Sequence, residues 1–247
     1  MPELTTFDWC MMIIAAAGIG ISKSGLSGLS MVHVLVFASI FGGRLSTGIV
    51  LPMLIFGDIC AIRVYGQHAN WKHVRRMMPP AIVGVLMGWL WMHWLDESVY
   101  KPLIGSIIFG LTILQIVRLW RSEWQANLPH SVWFAWAMGF TVGMTTMLAN
   151  AAGPVFGLYL LALSIPKLEF VGTSAWFFLM LNVFKVPFSW TLGLIDLQTL
   201  GLNALLCPMI VVGMILGKAI VKRLPQKIFD SLILAFTAIA ATRLLLG

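Results

Sequence analysis

Apolar residues occur in long runs along the whole chain, and short polar segments separate the runs. Seven runs come close to the length of about 20 residues that a helix needs to cross a bilayer. They cover residues 45–66, 77–95, 102–119, 131–149, 170–192, 197–217 and 228–246. Three shorter runs, 7–21, 29–42 and 152–165, have the length of re-entrant or broken helices. The pattern therefore predicts an all-α integral membrane fold with about 8–10 membrane segments.

Two polar interruptions adjoin the short runs. Residues 22–28 read Ser-Lys-Ser-Gly-Leu-Ser-Gly, and residues 149–154 read Ala-Asn-Ala-Ala-Gly-Pro. Glycine, proline, asparagine and serine interrupt helices and leave backbone amides without a helical partner. In hydrocarbon, such backbone is tolerated only where protein covers it or where it lines a polar cavity. The two interruptions are therefore predicted helix breaks.

The composition agrees with a membrane protein. Of the 247 residues, 60% are hydrophobic and only 10% are charged, whereas a soluble domain is about 25% charged. The net charge of +7 comes from 16 Lys and Arg spread among apolar runs, unlike the basic patch of a nucleic-acid-binding protein. The composition thus excludes a soluble fold, a disordered chain and a nucleic-acid partner.

Charged residues between the runs indicate the orientation of the chain. Segments 67–76 and 218–227 contain basic residues and no acidic ones, and segment 118–127 carries Arg118 and Arg121 against Glu123. By the positive-inside rule these three segments are predicted to be cytoplasmic. Both termini are then predicted to lie on the opposite side of the membrane.

The chain also carries a weak internal repeat. Gly48 and Asp58 align with Gly172 and Asn182, and a Pro-x4-Gly-x3-Gly pattern occurs twice. The loop charges swap sign between the corresponding positions of the two halves. We therefore predict a first inverted repeat over residues 1–127 and a second over 128–247, with the substrate site at their interface. The alternative is that two hydrophobic halves of similar composition align by chance.

Together these features resemble the sulfite exporter TauE/SafE family over essentially the whole chain. The resemblance rests on the two breaks, the Gly48 to Asp58 span and the paired Pro-x4-Gly-x3-Gly spans at Pro79 and Pro208. It implies a secondary transporter of the bacterial inner membrane that exports a small sulfur oxyanion or short organosulfonate, such as sulfite, sulfoacetate or a taurine-derived product. On this basis both termini are expected in the periplasm, and no cofactor is expected.

The residues at the breaks suit a small oxyanion. Helix breaks present unpaired N–H groups and the positive ends of helix dipoles, which favour anions. The predicted substrate-binding residues are Lys23, Ser24, Gly25 and Ser27 at the first break, and Thr146 and Asn150 at the second. Lys23 has a second interpretation, as a positive charge on the cytoplasmic side. The same donors would accept a carboxylate or a phosphate.

Three charged residues lie inside predicted spans, where a charge needs a partner or a function. Asp58 and Lys185 are predicted either to pair across the repeat interface or to serve the substrate or proton pathway, and Arg63 is expected to extend to the membrane surface. Asn182, equivalent to Asp58, is expected to bridge helices. His33 is expected to be a packing residue.

Several alternatives remain at this level. The chain could take up another small anion, conduct it as a channel, or assist the assembly of a membrane complex. An enzyme is not expected, because the sequence shows neither a nucleophile with a base nor a histidine-rich metal cluster. The glycines of the repeated pattern are expected to pack helices closely, within one chain or between the subunits of a homodimer.

Overall fold

The computed structural model describes most of the chain, with gaps. The described residues are 4–26, 29–96, 98–99, 102–103, 106–107, 109–110, 113, 117, 132–163 and 165–223. The predicted run 228–246 and segment 118–127 lie outside them, and the run 102–119 is described only at scattered residues.

The described part of the chain is all-helical, as predicted, and it contains no strand. Its continuously described α-helices are α1 Thr6–Lys23, α2 Ser30–Phe41, α3 Gly43–Tyr65, α4 Trp71–Trp94, α5 Val132–Ala149, α6 Gly153–Ala162, α7 Lys167–Thr191 and α8 Leu197–Arg223, where α5 begins and α8 ends at the limit of the described residues. Five stretches within these residues are long and apolar enough to cross a membrane: Thr6–Lys23, Gly43–His68, Val132–Ala149, Lys167–Thr191 and Leu197–Ala219. The chain is a multi-pass membrane protein.

Both predicted breaks are present. α1 ends at Lys23 and α2 begins at Ser30, while α5 ends at Ala149 and α6 begins at Gly153. The helices that follow the breaks are short, with 12 residues in α2 and 10 in α6. Each break therefore joins a helix of spanning length to a short one.

α1 is longer than the apolar run that predicted it. Its N-terminus is extended by a capping box in which Thr5 and Asp8 exchange hydrogen bonds. At its C-terminus, the Ser22 hydroxyl donates to the carbonyl oxygen of Ile19 at 2.8 Å, so this polar residue stays inside the helix. With 18 residues, α1 can cross a bilayer, unlike the re-entrant piece expected from the run 7–21.

Two of the basic segments are partly helical rather than loops, which corrects the sequence-based boundaries. Asn70 caps α4 by accepting a hydrogen bond from the Lys72 amide at 3.1 Å, so Arg75 and Arg76 lie in the first turns of α4. α8 likewise continues through Lys218 to Arg223. Polar side chains do not break a helix that has a good N-cap. The orientation inferred from these charges stays a prediction.

α8 begins at a second such cap. The Thr199 amide donates to the Asp196 carboxylate at 2.7 Å, and the Asp196 amide donates to the Thr199 hydroxyl at 2.9 Å. Hydrogen bonds to the carboxylate, led by the one from the Thr199 amide, hold the pKa of Asp196 below its usual range. The charged carboxylate also complements the positive end of the α8 dipole.

The repeated glycines pack helices within the chain. A Cβ on Gly84 of α4 would overlap the backbone of α5 at Phe140, and a Cβ on Gly213 of α8 would overlap the backbone of α1 at Ala17. Equivalent glycines thus pack α4 of the first half against α5 of the second, and α8 of the second half against α1 of the first. No side chain can stand between these backbones.

A second pair of equivalent glycines makes reciprocal contacts. A Cβ on Gly48 of α3 would meet Leu194, just after α7, and a Cβ on Gly172 of α7 would meet the backbone of Tyr65, at the end of α3. The contacts link the two halves of the chain, while the two repeats and their inverted orientation stay predictions.

Two apolar clusters surround the centre of the molecule. One joins α1, α2, α3 and α8 through residues such as Met12, Phe37 and Ile210. The other joins α4, α5, α6 and α7 through residues such as Val85 and Phe156. α3 and α7 meet between them, and the polar side chains described below lie on these two helices and at the breaks.

We expect Gly213→Ala to destabilise the protein by about 1–3 kcal/mol, because the new methyl group overlaps backbone that cannot move aside. Gly201→Ala, in the same helix, is the matched control, since a Cβ there meets nothing within 4 Å. Thermal unfolding of both variants in detergent measures the difference. Equal midpoints would show that α1 and α8 are not in backbone contact.

Candidate functional site

A cavity lies where the two breaks meet α3 and α7. The space between its walls, together with the adjoining open space, is about 670 Å³. The predicted site residues that line it are Lys23, Gly25, Asp58, Thr146, Asn150 and Asn182. The structure therefore brings residues of both breaks, and of both halves of the chain, to one place.

The other three predicted residues do not line the cavity. Ser24 is 1% exposed, and its hydroxyl donates to the Ile21 carbonyl oxygen at 2.6 Å, so it terminates α1 and is not free for a ligand. Ser27 lies outside the described residues. Lys185 is 2% exposed and lies behind the second break, next to Asn150.

Lys23 and Asp58 form a buried ion pair. The Lys23 ammonium donates to Asp58 Oδ1 at 2.5 Å, and Asn182 Nδ2 donates to Asp58 Oδ2 at 2.9 Å. Asp58 is fully buried, and the Lys23 side chain is 13% exposed. Both oxygens of the carboxylate are thus engaged, as a buried charge requires.

This pair corrects two sequence-based expectations. One of the two interpretations of Asp58 paired it with Lys185, and one of the two interpretations of Lys23 made it a cytoplasmic surface charge. Asn182 and Lys185 lie three positions apart on α7, yet Asn182 bonds to α3 while Lys185 bonds to the end of α5. The end of α1 places Lys23 at Asp58 instead. Arg63 is exposed, as expected for a residue that extends away from the core.

Lys185 holds the second break. Its ammonium donates to the Thr146 carbonyl oxygen at 2.7 Å, to the Thr146 hydroxyl at 3.1 Å and to Asn150 Oδ1 at 2.6 Å. An ammonium group has three N–H donors, so all three have acceptors. Each acceptor is an uncharged oxygen, and the positive charge of Lys185 is not neutralised by a carboxylate among the described residues.

Asn150 connects three helices at this break. Its Nδ2 donates to the Thr47 carbonyl oxygen of α3 at 2.8 Å, while its Oδ1 accepts from Lys185 of α7. Its backbone φ is +51°, in the left-handed region that asparagine tolerates better than most residues. The residue therefore turns the chain out of α5 and anchors the turn by its side chain.

The breaks also direct helix N-termini at the cavity. Ser30, at the start of α2, and Ala152 and Gly153, at the start of α6, line it. The N-terminus of a helix carries a partial positive charge and amides without helical partners. Two lysines and one aspartate leave one further net positive charge around the cavity. The electrostatic environment thus favours an anion.

The rest of the lining was missed by sequence reasoning. Phe156, Phe170 and Phe178 form an apolar wall, and the Lys23 ammonium lies 5.2 Å from the centre of the Phe178 ring. His33, expected to be a packing residue, lines the cavity as well. Its position five residues after the segment 22–28, in an otherwise apolar helix, was the available signal.

One comparison with known proteins gives a match. The family model described as Sulfite exporter TauE/SafE matches residues 12–244, nearly the whole chain. No curated protein and no solved structure matches the chain significantly.

A double-mutant cycle tests the buried pair. Lys23→Met leaves the Asp58 carboxylate buried with only Asn182 as partner, so we expect about 3–5 kcal/mol of destabilisation. Adding Asp58→Asn removes the unpaired charge and should recover most of that loss. Chemical or thermal unfolding in detergent gives the coupling energy. If the two effects simply add, the residues are not paired.

Two substitutions of Asn150 separate backbone from side-chain effects. Asn150→Gly and Asn150→Ala both lose the bonds to Thr47 and Lys185, but only glycine accepts a φ of +51° without strain. Both variants should be less stable than the wild type, and the alanine variant less stable than the glycine variant by about 1 kcal/mol. Unfolding curves measure this order, and a more stable alanine variant would contradict the left-handed turn.

Proposed function

The chain belongs to the sulfite exporter TauE/SafE family, and from that membership and its cavity we propose that it is a secondary transporter exporting a small sulfur oxyanion or short organosulfonate. Sulfite, sulfoacetate and taurine-derived products are the candidate substrates. The membrane is the bacterial inner membrane, and the charges of segments 67–76 and 218–227 support periplasmic termini. A homodimer stays a prediction.

The observation that carries the proposal is the positive cavity between the two breaks. The Lys23 ammonium donates one of its three N–H groups to Asp58. Lys23 also lines the cavity, so its other N–H groups can donate to a bound anion. The Thr146 hydroxyl accepts from Lys185, which leaves its own O–H to donate. These two groups supply charge-assisted and neutral hydrogen bonds to the oxygens of an anion.

The remaining groups support that binding without donating to the substrate. Lys185 lies behind the break, where it fixes Asn150 and adds positive potential through the low-dielectric interior. The phenylalanine wall excludes water and suits the short carbon chain of an organosulfonate. Asp58 holds Lys23 in place and limits the total charge, which keeps the anion releasable.

Alternating access is the proposed mechanism. Asp58 and Asn182 hold equivalent positions in the repeat and bond to each other, so they mark the centre about which the halves would move. On one side, the Asn70 amide donates to the Thr173 hydroxyl at 2.9 Å, and Asn70 Nδ2 donates to Glu169 at 2.6 Å. These hydrogen bonds join the start of α4 to the part of α7 that lines the cavity. Opening the cavity on this side would break them.

The membrane potential favours export. With a negative cytoplasm, moving one negative charge outward is downhill by about 2.3 kcal/mol per 100 mV. A carrier of a monoanion therefore needs no ATP to expel it.

Flux in proteoliposomes tests the proposal. Purified protein should give saturable flux of labelled sulfite, sulfoacetate or taurine, and the flux of the two anions, sulfite and sulfoacetate, should respond to an imposed membrane potential. Lys23→Gln should reduce this flux at least about tenfold, because it removes a charge-assisted hydrogen bond to the anion.

Arg63→Gln is the matched control, since it removes one positive charge from an exposed position of α3. It should keep the wild-type flux. Folded protein that moves none of these anions would contradict the transport proposal and favour an assembly role. Equal flux in the Lys23 and Arg63 variants would contradict the placement of the site.

A further inference from the structure

Two residues that line the cavity carry buried polar atoms without a hydrogen-bond partner. Asn182 and His33 are each 1% exposed. Among the described residues, Asn182 Oδ1 has no donor, and neither ring nitrogen of His33 has a partner. Buried polar atoms in folded proteins are almost always hydrogen-bonded, so atoms without a partner beside a binding cavity point to a ligand that supplies one.

The orientation of the Asn182 amide defines what is missing. Its Nδ2 donates to Asp58 Oδ2 at 2.9 Å, and a flipped amide would set its oxygen against the carboxylate oxygen. The free atom is therefore the oxygen, which can only accept. A neutral His33 imidazole likewise has one nitrogen that accepts and one that donates.

A fully deprotonated oxyanion without other polar groups cannot satisfy these atoms, because it only accepts hydrogen bonds. The Lys23 ammonium and the Thr146 hydroxyl serve such oxygens, but the Asn182 oxygen would stay unpaired. The ligand that matches the whole cavity has anionic oxygens and also a hydrogen-bond donor of its own.

The charges of the cavity select between two kinds of donor. Lys23 and Lys185 outweigh Asp58 by one positive charge, and both Asp58 oxygens already have donors. An ammonium group on the ligand would be repelled by that excess, whereas a neutral hydroxyl group would not.

Resting on the proposed function, we infer that the transported anion is a monoanion that carries a neutral O–H group. A hydroxyalkanesulfonate has this chemistry, and protonated sulfite is its inorganic counterpart. Among the candidate substrates, this ranks the hydrogensulfite form above sulfoacetate, which has two anionic groups and no donor, and above taurine, whose donor is charged.

Three sulfonates of similar size test the inference on purified full-length protein in detergent. Isethionate ends in a hydroxyl group, 1-propanesulfonate ends in a methyl group and taurine ends in an ammonium group. Isothermal titration calorimetry should show isethionate binding at least about tenfold tighter than the other two, because it alone gives the Asn182 oxygen a donor without adding positive charge.

Two variants locate the preference. Asn182→Leu removes the free oxygen, so the ratio between isethionate and 1-propanesulfonate should fall towards one. If that variant does not fold, His33→Phe keeps a ring of similar shape without nitrogens and should lower the same ratio. A ratio unchanged in the folded variants would overturn the assignment to these residues.

The outcomes distinguish a failure of the hydroxyl preference from a failure of the anion-transport proposal. Equal binding of isethionate and 1-propanesulfonate would overturn the inference and leave the anion-transport proposal in place. Tightest binding of taurine would overturn the choice of a neutral donor. Binding of none of the three sulfonates, together with no flux of sulfite, would overturn both the inference and the proposed function.

Discussion

Backbone that leaves a helix inside a membrane must find its hydrogen-bond partners within the protein, and this constraint shapes the centre of the molecule. At the second break the partners come from other helices, since Lys185 reaches the Thr146 carbonyl and Asn150 reaches the Thr47 carbonyl. At the first break Ser24 bonds within its own helix. α3 and α7 therefore hold the second break in place, while the first break is closed within α1 and tied to α3 by the Lys23–Asp58 pair.

The same constraint explains the distribution of buried charge. Each half uses a lysine to tie its first helix to its third, but Lys23 lies on the first helix of one half and Lys185 on the third helix of the other. Lys23 meets a carboxylate, whereas Lys185 meets only neutral oxygens. Two copies of the Lys23 arrangement would carry no net charge, and two copies of the Lys185 arrangement would carry two positive charges. The asymmetry between the halves therefore gives the cavity one net positive charge. The cavity is thus a joint product of both halves.

Local features were predictable from the sequence, and pairings across the interface were not. The breaks at Ser24 and Asn150 followed from glycine, proline and asparagine, whose effect on a helix is local. The partner of Asp58 depends on where α1 ends, and the length of an apolar run does not predict that end. The hydrogen bond from the Ser22 hydroxyl to the Ile19 carbonyl oxygen keeps this polar residue in the helix, so α1 extends to Lys23. The place of His33 near the first break is visible in the sequence, whereas what its ring faces depends on how the other helices pack.

The glycine contacts bear on how the protein is made. Gly84 packs α4 against α5, and Gly213 packs α8 against α1, so α1 meets its main partner only after about two hundred further residues have been synthesised. Until α8 is inserted, the backbone face of α1 at Ala17 contacts lipid or an insertion factor instead of Gly213. α1 therefore completes its packing after the other described helices have been synthesised. Before α8 is synthesised, the apolar cluster that joins α4 to α7 has all of its helices, whereas the cluster of α1, α2 and α3 lacks its α8 residues.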